Sequence, residues 1–167
     1  MSYKSPPTAH GQYYDTTDQA IASATTAQIV TFNTTDLQTG IIKGTGTGSV
    51  ANSRFTLPST GIYAFFISAI VDSTSGSGEA RMWFRSAASG GTPADIANSN
   101  TIVTIPATTE IVLAVNFYYN CTAINDIVEV WFSGDGTNVR LNATAAGVTP
   151  TRPATPSIIM TINKISK

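Results

Sequence analysis

The chain has 167 residues, and its 9 Lys and Arg against 10 Asp and Glu give a formal net charge of -1. Only 11% of the residues are charged, well below the roughly 25% typical of soluble domains. Because no basic run could neutralise a row of phosphates, we expect no nucleic-acid partner.

The N-terminal segment is predicted to lie outside the folded core. Pro6 and Pro7 lack a backbone N–H and favour an extended conformation. Residues 1–13 are therefore expected to form an arm, and residues 14–167 one folded domain. The segment has no apolar stretch typical of a signal peptide, and the chain has no apolar run of about 18 residues. We expect no membrane partner, and either retention in the cytosol or export by another route.

Residues 54–71, RFTLPSTGIYAFFISAIV, predict a turn followed by a strand that is apolar on both faces. One face is assigned to the core of a β-sandwich: Tyr63, Phe65 and Ile67. The opposite face carries Ala64 and Phe66. Since one sandwich core covers only one face of a sheet, the second face must meet a partner sheet, a covering loop or another subunit.

Later segments continue the β pattern. Residues 79–85 alternate apolar and polar side chains, which predicts a half-buried strand with Trp83 on its wet side. Residues 111–119 repeat the two-faced pattern. A Gly-Asp-Gly-Thr-Asn loop between residues 126–133 and 139–144 predicts a hairpin. No window has a sustained helical period, so the predicted fold is all-β, a sandwich or jelly roll.

Groups that usually carry catalysis or bind metals are scarce. His10 is the only histidine and lies in the predicted arm, and Cys121 is the only cysteine. An intrachain disulfide and a zinc cluster of cysteines are therefore excluded, and Cys121 is interpreted as a small residue near a strand end. Scattered acidic residues favour solvated carboxylates over a glycosidase pair. We predict no catalytic residue, no metal ligand and no cofactor, so the chain is not expected to be an enzyme.

One motif in residues 54–71 resembles a known family signature. It matches the pattern F-x-x-P-x-x-G-x-Y-x-F of the C1q and tumour necrosis factor jelly-roll superfamily at Phe55, Pro58, Gly61, Tyr63 and Phe65. Residues 123–130 are similar to the family's G-D-x-V strand, with Asn125 where Gly is usual, and residues 157–160 to its closing strand. The resemblance implies a jelly-roll β-sandwich that forms a homotrimer, with one sheet of each subunit packed around a threefold axis.

In such a trimer, the second apolar face of residues 54–71 supplies the contact between subunits. The residues expected at this interface are Ala64, Phe66, Tyr118 and Trp131.

A closer resemblance is to C1q-like virion proteins of tailed phages of marine bacteria and cyanobacteria. It rests on four blocks: 14–19 (YDTTDQ), 31–37 (TFNTTDL), 96–99 (IANS) and 153–159 (PATPSII). This resemblance implies a homotrimeric jelly roll on a virus particle, assembled in the host cytoplasm.

The leading functional hypothesis is a capsid decoration, or cement, protein that stabilises the phage head by binding the major capsid protein. The arm, with Lys4, Pro6 and Pro7, would anchor it to the capsid. The alternative is the receptor-binding tip of a tail fibre, whose partners are tail fibre proteins or a host surface glycan bound through exposed aromatics such as Trp83. A third hypothesis, a carbohydrate-active enzyme, would require carboxylates that meet only in the folded chain.

Overall fold

The computed structural model describes residues 8–44 and 52–166. Across these two ranges no residue is helical, and the strands form two antiparallel sheets and a short two-stranded ribbon. The described residues accordingly include no helix with the length and apolar character that crossing a bilayer demands.

The strands are numbered β1 to β16 along the chain. The first sheet, called the front sheet, contains β1 (His10–Asp15), β2 (Gln19–Ala20), β4 (Thr34–Thr39), β7 (Gly61–Ser73), β11 (Glu110–Cys121), β13 (Val139–Leu141) and β16 (Ile158–Lys164). The second, called the back sheet, contains β3 (Gln28–Ile29), β5 (Ile42–Lys43), β6 (Arg54–Leu57), β8 (Gly78–Ala87), β9 (Ala94–Asp95), β10 (Thr101–Ile105) and β12 (Asp126–Gly134). The ribbon pairs β14 (Gly147–Val148) with β15 (Thr151–Arg152).

Strand β7 is the centre of the front sheet. Strand β11 pairs along nearly all of one edge, while β16 and then β13 pair along the other. Beyond β16 lie β1 and finally β4 at the sheet edge. In the back sheet, β12 lies between β8 and β6. Because β6 and β7 belong to opposite sheets, as do β7 and β8, the chain repeatedly crosses between the layers and encloses one core.

The turn before β7 is held by local geometry and hydrogen bonds. Gly61 has φ of 132°, in a region that favours glycine. The Tyr63 hydroxyl donates to the Ser59 carbonyl at 3.0 Å, and Lys164 Nζ donates to Ser59 Oγ at 2.8 Å. These bonds tie the turn to β7 and to β16, so the strand begins at a fixed register.

Aromatic contacts join the two sheets across the core. Phe65 of β7 meets Phe84 of β8 with ring centroids 5.4 Å apart, and Phe84 stacks on Phe117 of β11 at 4.7 Å. At the other end, Tyr13 of β1 meets Phe55 of β6 at 4.7 Å. Edge and stacked aromatic pairs of this kind add stabilisation beyond the area they bury.

The predicted arm differs from the structure at its C-terminal end. Residues 10–13 lie in β1, between β16 and β4, and Tyr13 is fully buried. The segment HGQYYD has two strand-favouring tyrosines but no β-branched residue, and in the structure it pairs with both neighbouring strands. Residues 1–7, including Lys4, Pro6 and Pro7, lie outside the described residues.

The hairpin predicted after residue 133 is wrong. Strand β12 ends at Gly134 in the back sheet, whereas β13 begins at Val139 in the front sheet, paired with β7 and β2. Asn138 ties the connection that follows β12 to the end of β7. Its Nδ2 donates to Ser73 Oγ at 2.7 Å and to the Ser75 carbonyl at 2.6 Å. The turn residues were recognised correctly, but not the sheet they lead to.

The turn at the start of residues 54–71 is also preceded by a strand. Residues 54–57 form β6, which pairs with β12 in the back sheet. This strand is only four residues long. Its alternation is therefore too short to distinguish the strand from the turn that follows.

Candidate functional site

The side of the front sheet that faces away from the back sheet, called the outer face, is uncovered in the single chain. Pairing registers place its side chains in rows that cross β11, β7, β16, β1 and β4. The row through the middle of β7 consists of Asn116, Phe66, Thr161, Gln12 and Leu37.

This outer face bears large apolar side chains exposed to solvent. Phe66 is 41% exposed, and Tyr118 on the neighbouring strand is 64% exposed. Others are Leu37, Val112 and Ile159, and half-buried members are Tyr14, Ile62 and Ile70. Isolated exposed apolar residues are ordinary, but a contiguous set on one sheet marks an interaction surface.

The polar side chains that β7, β11 and β16 place at the centre of the outer face are uncharged. Between the apolar side chains lie hydroxyl and amide groups, such as Ser68, Asn116, Thr161 and Asn163. Burying such groups against another protein requires only hydrogen bonds, whereas burying a charge costs several kcal/mol. The face is therefore suited to burial against another protein surface.

An ionic cluster closes one end of the outer face. Arg140 of β13 donates through Nε and a terminal nitrogen to both carboxylate oxygens of Asp72, at 2.8 and 2.9 Å, and through its other terminal nitrogen to Asp18 at 2.7 Å. The hydrogen-bonded Asp72 carboxylate raises the pKa of Arg140. Glu110, opposite Asp72 on β11, accepts a hydrogen bond from Asn142 at 2.6 Å.

A further charge lies on the edge strand β4, where Asp36 accepts a hydrogen bond from Gln12 Nε2 at 3.1 Å. The outer-face side chains of β11, β7 and β16 between these positions are uncharged.

The residues predicted for the core are buried, whereas those predicted for the interface do not all lie on one sheet. Tyr63 and Phe65 are fully buried, and Ile67 is 4% exposed. The structure places the four predicted interface residues, Ala64, Phe66, Tyr118 and Trp131, in two different sheets.

Three of those four residues lie together. Tyr118 pairs directly with Ala64, and Phe66 follows two positions along the same strand. Ala64 is itself buried, because it is small and lies between larger neighbours. Trp131 lies on the outer side of β12, opposite Trp83 of β8 in the back sheet, and does not join the other three. The alternation of apolar and polar residues predicts which side chains share one face of a strand. It does not predict which of the two sheets contains that strand.

Sequence reasoning missed other members of the outer face. Val112 and Ile159 occupy alternate positions of strands that the sequence did predict, so continuing the alternation would have found them. Tyr14 and Leu37 lie on β1 and β4, whose mostly polar sequences do not alternate between apolar and polar residues.

Comparison with known proteins bears on the fold. No protein-family model matches the chain, and no curated protein sequence matches it. Among solved structures, it is similar to crystal structures of murine APRIL at pH 8.0 (TM-score 0.57, 10% identity), pH 5.0 (0.53, 11%) and pH 8.5 (0.52, 11%). Each similarity covers 95% of this chain and 100% of the other.

The chain has the tumour-necrosis-factor-like jelly-roll fold. Identity of 10–11% shows the fold alone. The predicted jelly roll is therefore confirmed, together with its all-β character over the described ranges.

Titratable side chains form no metal centre in the part of the chain that the structure covers, since no three His, Cys, Asp or Glu residues converge there. The carboxylates with close partners, such as Asp72 and Glu129, are engaged by arginines. Asp15 is buried and accepts hydrogen bonds from Thr17, Thr31 and Asn33. These carboxylates organise strands and loops.

The Cys121 thiol is expected to be unreactive in the folded protein. It is buried at the end of β11, and it donates to the Ala123 carbonyl at 3.1 Å. Burial, helped by the nearby Asp126 carboxylate, raises the pKa of Cys121 from 9.0 to about 11, which lowers the thiolate fraction at neutral pH about 100-fold. Ellman's reagent at pH 7.5 should react at least that much more slowly with native protein than with urea-unfolded protein. Equal rates in the two states would mean that the thiol is accessible.

Proposed function

We propose that the chain is a homotrimeric structural protein of a phage particle, which decorates the capsid and stabilises the head by bridging neighbouring capsid subunits. The observation that carries the assembly part is the uncharged apolar outer face around Phe66. The phage part is supported by the resemblance of residues 14–19, 31–37, 96–99 and 153–159 to phage virion proteins.

The energetics favour a second and third copy of the chain as the occupants of the outer face. Apolar area removed from water contributes roughly 25 cal/mol per Å², and a stable interface buries about 800 Å² on each partner. Closed cyclic symmetry lets one face be covered in every subunit. A trimer formed this way is more stable than its isolated subunit, and its stability rises with protein concentration.

Contact with the capsid is assigned to the N-terminal arm. Lys4, Pro6 and Pro7 precede β1, which begins at His10 inside the front sheet. Proline restricts the conformations of a free segment, which lowers the entropic cost of binding it along a neighbouring protein. The partner proposed for the arm is the major capsid protein.

The capsid assignment is tested on particles of the virus that encodes the chain. Quantitative mass spectrometry of purified particles should give a copy number comparable with that of the major capsid protein, and gold-labelled antibody should mark heads. Particles that lack the protein should release their DNA at a lower temperature, and adding purified trimer should restore the original temperature.

The same labelling distinguishes capsid decoration from the alternative function, a receptor- or glycan-binding tip of a tail fibre. Gold confined to the tail, with a copy number like that of a fibre protein, would contradict decoration of the capsid and support the fibre tip. The half-buried Trp83, on a face of the back sheet away from the proposed trimer contact, is the observation that favours this alternative.

A further inference from the structure

The back sheet carries a small cleft on its outer side, where β8 meets β12 and the connection between β9 and β10. The cleft measures about 290 Å³, just below the range of about 300–1,000 Å³ typical of ligand sites. It combines an indole, two amides, a hydroxyl, an aliphatic side chain, a guanidinium and a carboxylate: Trp83, Asn98, Asn100, Ser133, Ile96, Arg81 and Asp95. Its size suits one ring-sized ligand.

A hydrogen bond from the indole nitrogen fixes the orientation of Trp83. Its Nε1 donates to Asp95 Oδ1 at 2.7 Å, and the same oxygen accepts from Arg85 Nε at 2.6 Å. Both hydrogen bonds, that of Arg85 first, lower the pKa of Asp95, so the carboxylate stays ionised at neutral pH. The polar edge of the indole is thus occupied, and its ring surface is what remains to bind a ligand.

Trp131, the cross-strand neighbour of Trp83, does not offer a free ring face to a ligand. The Arg85 guanidinium lies 3.8 Å above the centre of its ring, and its Nε1 donates to Glu129 at 2.9 Å. Of the two tryptophans paired across β8 and β12, the one that lines the cleft is Trp83.

The loop that supplies the amides is fixed to β8. The buried Ser99 hydroxyl accepts from the Phe84 backbone N–H at 3.0 Å and donates to the Ile96 carbonyl at 2.8 Å. The Ile96 N–H donates to the Phe84 carbonyl at 2.9 Å. Asn98 has φ of 62°, a left-handed conformation that is uncommon outside glycine. The exposed side chains of Asn98 and Asn100 are therefore presented from a rigid support.

The charged groups at the cleft already have partners. Arg81 forms an ion pair with Glu79, and Asp95 forms one with Arg85. A charged ligand would find its opposite charge already engaged, and a purely apolar ligand would leave the amides of Asn98 and Asn100 unpaired. These features favour a neutral molecule with one apolar face and several hydroxyl groups.

We infer that this cleft binds a neutral pyranose unit of a glycan, with the sugar ring stacked on Trp83 and its hydroxyls bound by Asn98 and Asn100. The ring face of tryptophan is electron-rich and attracts the C–H groups of one pyranose face. Each amide offers two donors and an acceptor, which match the donor and acceptor roles of sugar hydroxyls. The inference deepens the alternative of glycan binding through Trp83, and it does not depend on the trimer, since the cleft lies on the sheet opposite the outer face.

The test is saturation-transfer NMR with four methyl pyranosides: glucoside, galactoside, mannoside and N-acetylglucosaminide. At least one should receive saturation at its ring C–H protons from the wild-type protein. Trp83→Ala should weaken its binding by at least about tenfold, equivalent to 1.4 kcal/mol. Asn98→Gly keeps the left-handed backbone and removes the amide, so it should fold normally and weaken binding as well. Trp131→Phe is the matched control and should bind as the wild type does.

Three results would overturn the inference. The first is no transfer from the wild type to any of the four pyranosides. The second is undiminished transfer in Trp83→Ala and Asn98→Gly. The third is binding of an anionic sugar, such as the methyl glycoside of sialic acid, without binding of any neutral one.

Discussion

Phe66→Asp is expected to convert the proposed trimer into folded monomers. Phe66 lies at the middle of the outer face, between Asn116 and Thr161 on the flanking strands, and no positive side chain lies in that row. A carboxylate buried there without a partner costs about 3–5 kcal/mol, and symmetry places one on each of three subunits. Sedimentation velocity should show the loss of the trimer, while far-UV circular dichroism stays unchanged.

Ile102→Asp is the matched control for this substitution. Ile102 is also a solvent-exposed apolar residue on a strand, but it lies on β10 in the back sheet. The Ile102→Asp protein should remain trimeric. If Phe66→Asp stays trimeric, or if both variants dissociate alike, the outer face is not the contact between subunits.

Phe65→Ala is expected to cost about 3–5 kcal/mol of unfolding free energy, the usual range for removing a buried phenylalanine. Phe65 is fully buried and meets Phe84 of the back sheet, which in turn stacks on Phe117. Its loss leaves a cavity where the two sheets are joined. Urea denaturation should show a lower midpoint at every protein concentration.

Phe66→Ala, one residue further along the same strand, serves as the comparison. Because Phe66 points away from the core, its truncation should mainly weaken association. The midpoint of Phe66→Ala should therefore lose much of its dependence on protein concentration, whereas Phe65→Ala should keep that dependence. Reversed behaviour of the two variants would show that the faces of β7 are assigned the wrong way round.

Strands with a strong alternation could be predicted from the sequence. The segments 79–85 and 111–119 became β8 and β11, and Trp83 lies on the less buried side of β8 as expected. Strand β1 could not, because HGQYYD has no clear alternation, and its place between β16 and β4 depends on residues distant in sequence. Tertiary context of this kind overrides local propensity in sheets.

The candidate surface was only partly accessible to sequence reasoning. Phe66 and Tyr118 follow from alternation on two strands that pair with each other. Trp131 fits the same alternation but belongs to the back sheet, and Tyr14 lies on a strand without a clear alternation. Which strands share a sheet is decided by crossings such as the one at Asn138, which depend on contacts distant in sequence.

Several of the few charged residues of the chain are paired with one another in the folded structure. Arg54 is paired with the buried Glu129, and Arg85 with Asp95, both on the back sheet. Arg140 gathers acidic partners at one end of the front sheet. These charges are thus paired on the back sheet and at one end of the front sheet, and the outer-face centre of β7, β11 and β16 is left free for a protein contact.

Sedimentation equilibrium of the wild-type protein at micromolar concentration tests the central claim most directly. If the outer face around Phe66 is the contact between subunits, the protein should have three times the mass of the chain and dissociate only on strong dilution. A mass equal to that of one chain across the micromolar range would contradict the account.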